Sequence, residues 1–195
     1  WNGTSWTEVA NLNTARNALA GAGVSNTSAI AFGGYSTPAD ANQVANESWN
    51  GTAWTEVANL NTARAYPGAT GITTAALAFA GWMDPGFTAN TELWNGSSWT
   101  EVNNLNVAGA AVKGIGTQTS ALAVGRGEAP PSPKGIVESW DGTSWTEVAD
   151  LNTSRASGAT SGSSTAGLYF AGSVPPNSTA TEEWNTGNSV GAWAT

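Results

Sequence analysis

Large and small apolar side chains alternate with a period of two in four short segments of the chain. These are Ala29-Ile30-Ala31-Phe32, Ala76-Leu77-Ala78-Phe79, Ala121-Leu122-Ala123-Val124 and Gly167-Leu168-Tyr169-Phe170. Successive side chains of an extended backbone point to opposite faces, so each segment predicts a β-strand with one bulky face and one slim face. A run of small residues precedes each segment and reaches a glycine at the same place, at Gly23, Gly71, Gly116 and Gly162. This predicts an inner strand ahead of each alternating one. Behind each segment a carboxylate stands two residues before a tryptophan, as Glu47, Glu92, Glu138 and Glu182. That tryptophan ends a third strand. Asn-Gly then predicts a tight turn in which both residues accept positive φ, and a second Trp with Thr-Glu-Val forms a fourth strand.

The pattern is a repeat. Trp1-Asn2-Gly3-Thr4-Ser5-Trp6-Thr7-Glu8-Val9 recurs from Trp49, Trp94 and Trp140, at spacings of 48, 45 and 46 residues, and a degenerate start follows 44 residues later at Trp184. Four antiparallel strands per unit of that length predict a propeller blade. The expected fold is therefore all-β, a β-propeller of four four-stranded blades in one domain spanning residues 1–195. Tryptophans five residues apart in every unit are expected to fill the wedges between blades. Lining a sugar platform is the alternative.

The unit resembles the kelch repeat. Arg16, Arg64 and Arg155 stand at its basic position, Gly33-Gly34 at its glycine pair, and Trp49/Trp54 and their equivalents at its aromatic positions. The resemblance spans essentially the whole chain, with departures. The pair becomes Ala80-Gly81, Gly125-Arg126 and Ala171-Gly172 in the later units, and Gly109 replaces the arginine of the third. The resemblance implies a β-propeller and leaves activity open. The near-identical Trp-Asn-Gly-Thr-Ser-Trp-Thr-Glu-Val units are also similar to repeats of virion and surface proteins of marine phages and bacteria.

Ring closure has more than one solution. In the favoured one, residues 1–9 complete the final blade as an N-terminal clasp strand, since the last repeat start is irregular, with Trp184 and Trp193 nine positions apart instead of five. The alternatives are an arc of a larger ring or pairing with a second copy. The chain opens inside its own repeat, as expected of a processed or partial product.

Composition narrows the chemistry. A net charge of −8 and only six basic residues argue against nucleic acid or an anionic membrane as partner. No apolar run approaches the ~20 residues of a membrane-spanning helix. There is no cysteine and no histidine. Disulfides, thiolate metal sites and the commonest general base are thereby excluded. Galactose-oxidase chemistry, known among kelch-like propellers, needs histidine and cysteine. A sialidase would need three clustered arginines, whereas Arg16, Arg64 and Arg155 fall at equivalent positions of separate blades. Its Asp-box has only a short counterpart at Asp141-Gly142-Thr143-Ser144-Trp145. Glycoside hydrolysis by two carboxylates is formally open, but glutamates recurring once per blade are better read as structural partners of the arginines or of backbone N–H groups. Asp40, Asp84, Asp141 and Asp150 are too scattered for a calcium site. The expectation is a protein without cofactor, metal or catalytic residues.

Specificity in a repeat protein belongs to its irregular loops. Those of 35–43, 82–90, 126–135 and 173–180 join the second and third strands, all contain proline, and no two are alike. Candidate ligand-contacting residues are Tyr35, Trp82, Met83, Phe87, Arg126 and Lys134, with Glu128 beside them. Folding of Trp82 and Phe87 onto a neighbouring blade is the competing expectation. The functional expectation is an extracellular recognition or structural module, on a phage particle or as a bacterial adhesin, binding a glycan or protein. An intracellular kelch-type interaction scaffold is the runner-up, and a carbohydrate-active enzyme the third reading.

Overall fold

The computed structural model describes residues 1–127, 134–174, 177–186 and 192–194. It is all-β. The first blade consists of β1 (Ala20–Ser25) and β2 (Ser28–Phe32), a small hairpin of β3 (Tyr35–Ser36) and β4 (Ala41–Asn42), then β5 (Asn46–Trp49) and β6 (Trp54–Glu56). The second repeats this plan with β7 (Gly68–Ile72), β8 (Ala75–Phe79), the hairpin β9 (Trp82–Met83) and β10 (Gly86–Phe87), β11 (Thr91–Trp94) and β12 (Trp99–Val102). The third has β13 (Lys113–Gly116), β14 (Ala121–Arg126), β15 (Lys134–Trp140) and β16 (Trp145–Glu147). The fourth has β17 (Ala159–Gly162), β18 (Ala166–Phe170), β19 (Thr181–Asn185) and β20 (Ala192–Ala194). Each blade is an antiparallel four-stranded sheet, and the four are arranged as a β-propeller.

The period-two alternation places every blade in its row. Ile30 and Phe32 of the first blade pack with Ala76, Ala78, Trp94 and Trp99 of the second. Leu77 and Phe79 of the second meet Ala121, Ala123, Trp140 and Trp145 of the third. Leu122 and Val124 of the third meet Tyr169, Trp184 and Trp193 of the fourth. The bulky face of one blade thus enters the slim, tryptophan-flanked face of the next. The repeated tryptophan pairs are packing elements, with centroids 5.2–5.6 Å apart in the four blades.

The inner strands β1, β7, β13 and β17 stand side by side in that order. Their small residues are required by proximity. A Cβ on Gly114 would lie 2.1 Å from the carbonyl oxygen of Ala69 in the preceding blade. The Asn-Gly turn differs from expectation in one respect. Only the glycines take positive φ, 94° at Gly51 and Gly96 and 95° at Gly142. The asparagine serves through its side chain, Asn50 Oδ1 accepting the N–H groups of Thr52 and Ala53 at 2.9 Å each. Asp141 does the same for Thr143 and Ser144, and these bonds hold its carboxyl below the usual aspartate range.

A buried ion pair locks each blade to the connector that enters it. Arg16 pairs with Glu47, Arg64 with Glu92, Arg126 with Glu138 and Arg155 with Glu182, and these side chains are all essentially buried. The connector's Leu-Asn-Thr or Leu-Asn-Val completes the lock. The Asn61 N–H donates to Glu92 at 2.8 Å, while its side-chain amide bridges Glu92 and the carbonyl of Trp99. Asn13, Asn106 and Asn152 repeat this bridge. The expected pairing of repeated arginines with glutamates is therefore present, at the glutamates before the first tryptophan. Glu56, Glu101 and Glu147 point to solvent.

The third blade makes this bond differently. Gly109 stands where the other units carry arginine, and Arg126 stands where they carry Gly34, Gly81 and Gly172. A Cβ on Gly109 would meet the Arg126 side chain at 3.0 Å, just as one on Gly81 would meet Arg64 at 3.2 Å. One space between the connector and the end of β14 is filled from opposite sides. Arg126 is accordingly a buried structural residue, and the expectation that it brings charge to a loop surface is corrected.

The expected N-terminal clasp is not formed either. The outer strand of the fourth blade is β20, paired to β19, while residues 1–9 join no sheet.

Candidate functional site

Tyr35 and Trp82 occupy the same position in successive repeats, immediately after the glycine pair. Each forms a bridge to the connector of its blade, Tyr35 to Asn17 and Trp82 to Ala65. Gly127 and Ser173 hold that position in the third and fourth blades. The aromatic pair is thus particular to the first two blades, and their small hairpins β3–β4 and β9–β10 carry it to one side of the propeller.

Between these hairpins lies a cleft of ≈ 650 Å³ lined by Tyr35, Asp40, Asn42, Trp82, Met83 and Asp84, with Asn61, Thr62 and Ala63 of the connector as its floor. The Tyr35 hydroxyl donates to the Asp40 carboxylate. That hydrogen bond, followed by burial and the charges of Asp40 and Asp84, raises the phenol above its ordinary pKa of 10.0 and keeps it protonated. Phe87 stands edge-on to Trp82 with centroids 5.0 Å apart, bracing the indole. Trp82 and Met83 are half-buried, and Asp40 and Asp84 are exposed. Asp84 precedes Pro85 through a cis peptide bond at the tip of the second hairpin.

Of the candidate residues, Tyr35, Trp82 and Met83 come together in this cleft, and Phe87 supports it. Arg126 lies in the core of the third blade. Lys134 is exposed at the start of β15, away from the cleft's lining. Glu128 lies outside the described residues. The connector residues Asn61 and Thr62 escape a loop-based search because they belong to the regular repeat. Tyr66, which is not among the cleft's lining residues, is a second departure that such a search passes over. It is an exposed aromatic at φ 54°, where the other units carry Ala18, Ala111 and Ser157 in the same left-handed conformation. A bulky residue is uncommon there. A tyrosine replacing alanine or serine at a fixed repeat position is the signal that could have found it.

The lining brings two carboxylates, two amides, two hydroxyls and two aromatic faces together, with no lysine or arginine among the described lining residues. Such a surface can hydrogen-bond hydroxyls and stack against a flat apolar face, and its charge repels anions. No family model matches the chain, and no curated protein matches it. What the geometry establishes is the class: a β-propeller of four blades whose irregular hairpins form a polar, aromatic-flanked cleft.

Proposed function

We propose that this propeller is a non-enzymatic recognition module acting outside the cell, and that the cleft between its first two blades binds a neutral, hydroxyl-rich ligand of the glycan class. The observation that carries the reading is the pairing of Tyr35 and Trp82 in a cleft lined also by Asp40, Asn42, Asn61, Thr62 and Asp84. An indole offers a broad apolar plane to the C–H face of a sugar ring, and carboxylate and amide oxygens accept its hydroxyl protons. The two aspartates disfavour sialylated, sulfated or phosphorylated ligands. The kelch-like units, similar to those of marine phage and bacterial surface proteins, support placement on a virion or a cell surface as fibre, decoration or adhesin component.

A glycan array followed by calorimetry on the purified chain tests this. A neutral glycan is expected to bind, and Trp82→Ala to weaken it at least ~10-fold, equivalent to ~1.4 kcal/mol. No neutral glycan binding, or binding indifferent to both Trp82→Ala and Asp40→Ala, would refute the reading. Capture of a protein ligand through the same residues would refute the ligand class and retain the site.

A further inference from the structure

The two ends of the blade row are each half of the interface that the chain builds three times internally. On the fourth blade the bulky face is bare. Leu168 is 41% and Phe170 37% exposed, whereas Leu77 and Phe79 at the same repeat positions are fully buried. On the first blade the slim face is open. A groove of ≈ 460 Å³ runs along it, lined by Leu12, Gly21, Gly23, Ala29, Ala31 and Trp54 among others. Leu12 and Trp54 are half-buried there, while their equivalents Leu60, Leu105 and Leu151, and Trp99, Trp145 and Trp193, are buried. Among the described residues no hydrophobic cluster joins the fourth blade to the first.

We propose that a second copy of this chain docks head to tail on these ends, inserting Leu168 and Phe170 of one copy into the first-blade groove of the other. The occupant is specified by the internal interfaces. Phe32 meets Trp99 edge-on at 4.8 Å and Phe79 meets Trp145 at 5.1 Å, each phenylalanine contacting the outer-strand tryptophan of the next blade. Phe170 and Trp54 are the unmatched members of that series. Leu12 stands ready to cover the joint as Leu60 covers the one between the first two blades. Residues 1–9 already carry the shape of the repeat turn, with Asn2 Oδ1 accepting the N–H groups of Thr4 and Ser5 at 2.9 Å. Trp6 in that turn is 82% exposed.

The two docking faces are different surfaces, so the contact is heterologous and closes only as a ring or extends as a filament. Two copies related by a half-turn about the ring axis satisfy both contacts at once and give eight blades. Propellers typically have 4–8 blades, so a ring of three copies exceeds that range. A dimer is therefore expected.

Sedimentation equilibrium of the purified chain across concentration is the test. The expected result is a reversible species of twice 19.7 kDa. Phe170→Asp, on a face exposed in the single chain, is expected to preserve the β circular-dichroism spectrum and weaken dimerisation roughly 30-fold or more. Ala29→Arg, which obstructs the groove, is expected to do the same. An equimolar mixture of the two variants retains one intact joint and should form a two-chain species that neither forms alone. A monomer at all concentrations overturns the proposal, and a cross-link between Phe170→Cys and Trp54→Cys within one chain would identify self-closure instead. A dimer unaffected by Phe170→Asp, or variants that fail to complement, would place the contact elsewhere and also overturn it.

Discussion

Replacing Arg126 with glycine is expected to destabilise the protein by about 3–5 kcal/mol, and adding Gly109→Arg to restore most of that loss. The Arg126 guanidinium lies 3.0 Å from Glu138 and also donates to the carbonyl of Val107. Without it, Glu138 becomes a fully buried carboxylate with no cation, and breaking such a pair from one side costs about 3–5 kcal/mol. Glu138 would keep the N–H groups of Asn106 and Val107 and the Asn106 amide, which places the cost in the lower half of that range. Arginine at residue 109 would start from the position of Arg64 and reach the same carboxylate. Alone, Gly109→Arg destabilises, because its Cβ would lie 3.0 Å from that of Arg126. Urea unfolding of the four proteins gives the coupling directly. At about 2–4 °C per kcal/mol for a chain of this size, the single variant should melt roughly 6–16 °C lower. A loss below about 1 kcal/mol for Arg126→Gly, or a double variant no more stable than the single one, would refute the exchange of positions.

Other outcomes follow from the same packing. Burial opposes the charge of Glu47, but the Asn13 N–H, the Arg16 guanidinium and the Thr14 N–H outweigh it and lower its pKa from 4.5. Its contribution is therefore complete above the unfolded value and disappears as pH falls through the lower folded value. Melting temperature should drop on acidification below about pH 4.5, and Glu47→Gln should flatten that part of the profile, a steeper fall contradicting the assignment. Gly114→Ala should cost about 1–3 kcal/mol, because its methyl group meets backbone of the neighbouring blade. Gly86→Ala, with nothing within 4 Å, should be near neutral in the same denaturation assay. Phe79→Ala should cost about 3–5 kcal/mol, and Phe170→Ala, at the same repeat position but exposed, less than about 1 kcal/mol in dilute solution. Equal losses would mean that the fourth blade is covered within one chain.

The architecture of a single blade is legible in the sequence because its causes are local and repeated. Period-two alternation determines which residues of Ala76-Leu77-Ala78-Phe79 face each neighbour. The recurring glycine and Asn-Gly punctuate the strands, and a carboxylate two residues before tryptophan implies a cationic partner once per unit. Even the exception could be read, since Gly109 and Arg126 depart from the repeat together. Their shared space becomes evident only when the connector and β14 are seen side by side. The cleft illustrates the same boundary. Tyr35 and Trp82 are identifiable as aromatics in irregular loops, whereas Asn61 and Thr62 look like ordinary connector residues until folding places them beneath those rings. Whether the row of blades closes on itself is decided by tertiary structure alone. Each blade packs on the next with a small rotation, and such rotations accumulate over the repeats. A pattern that specifies every step equally cannot state their sum. That sum decides whether Leu168, Phe170 and Trp54 meet one another or face solvent.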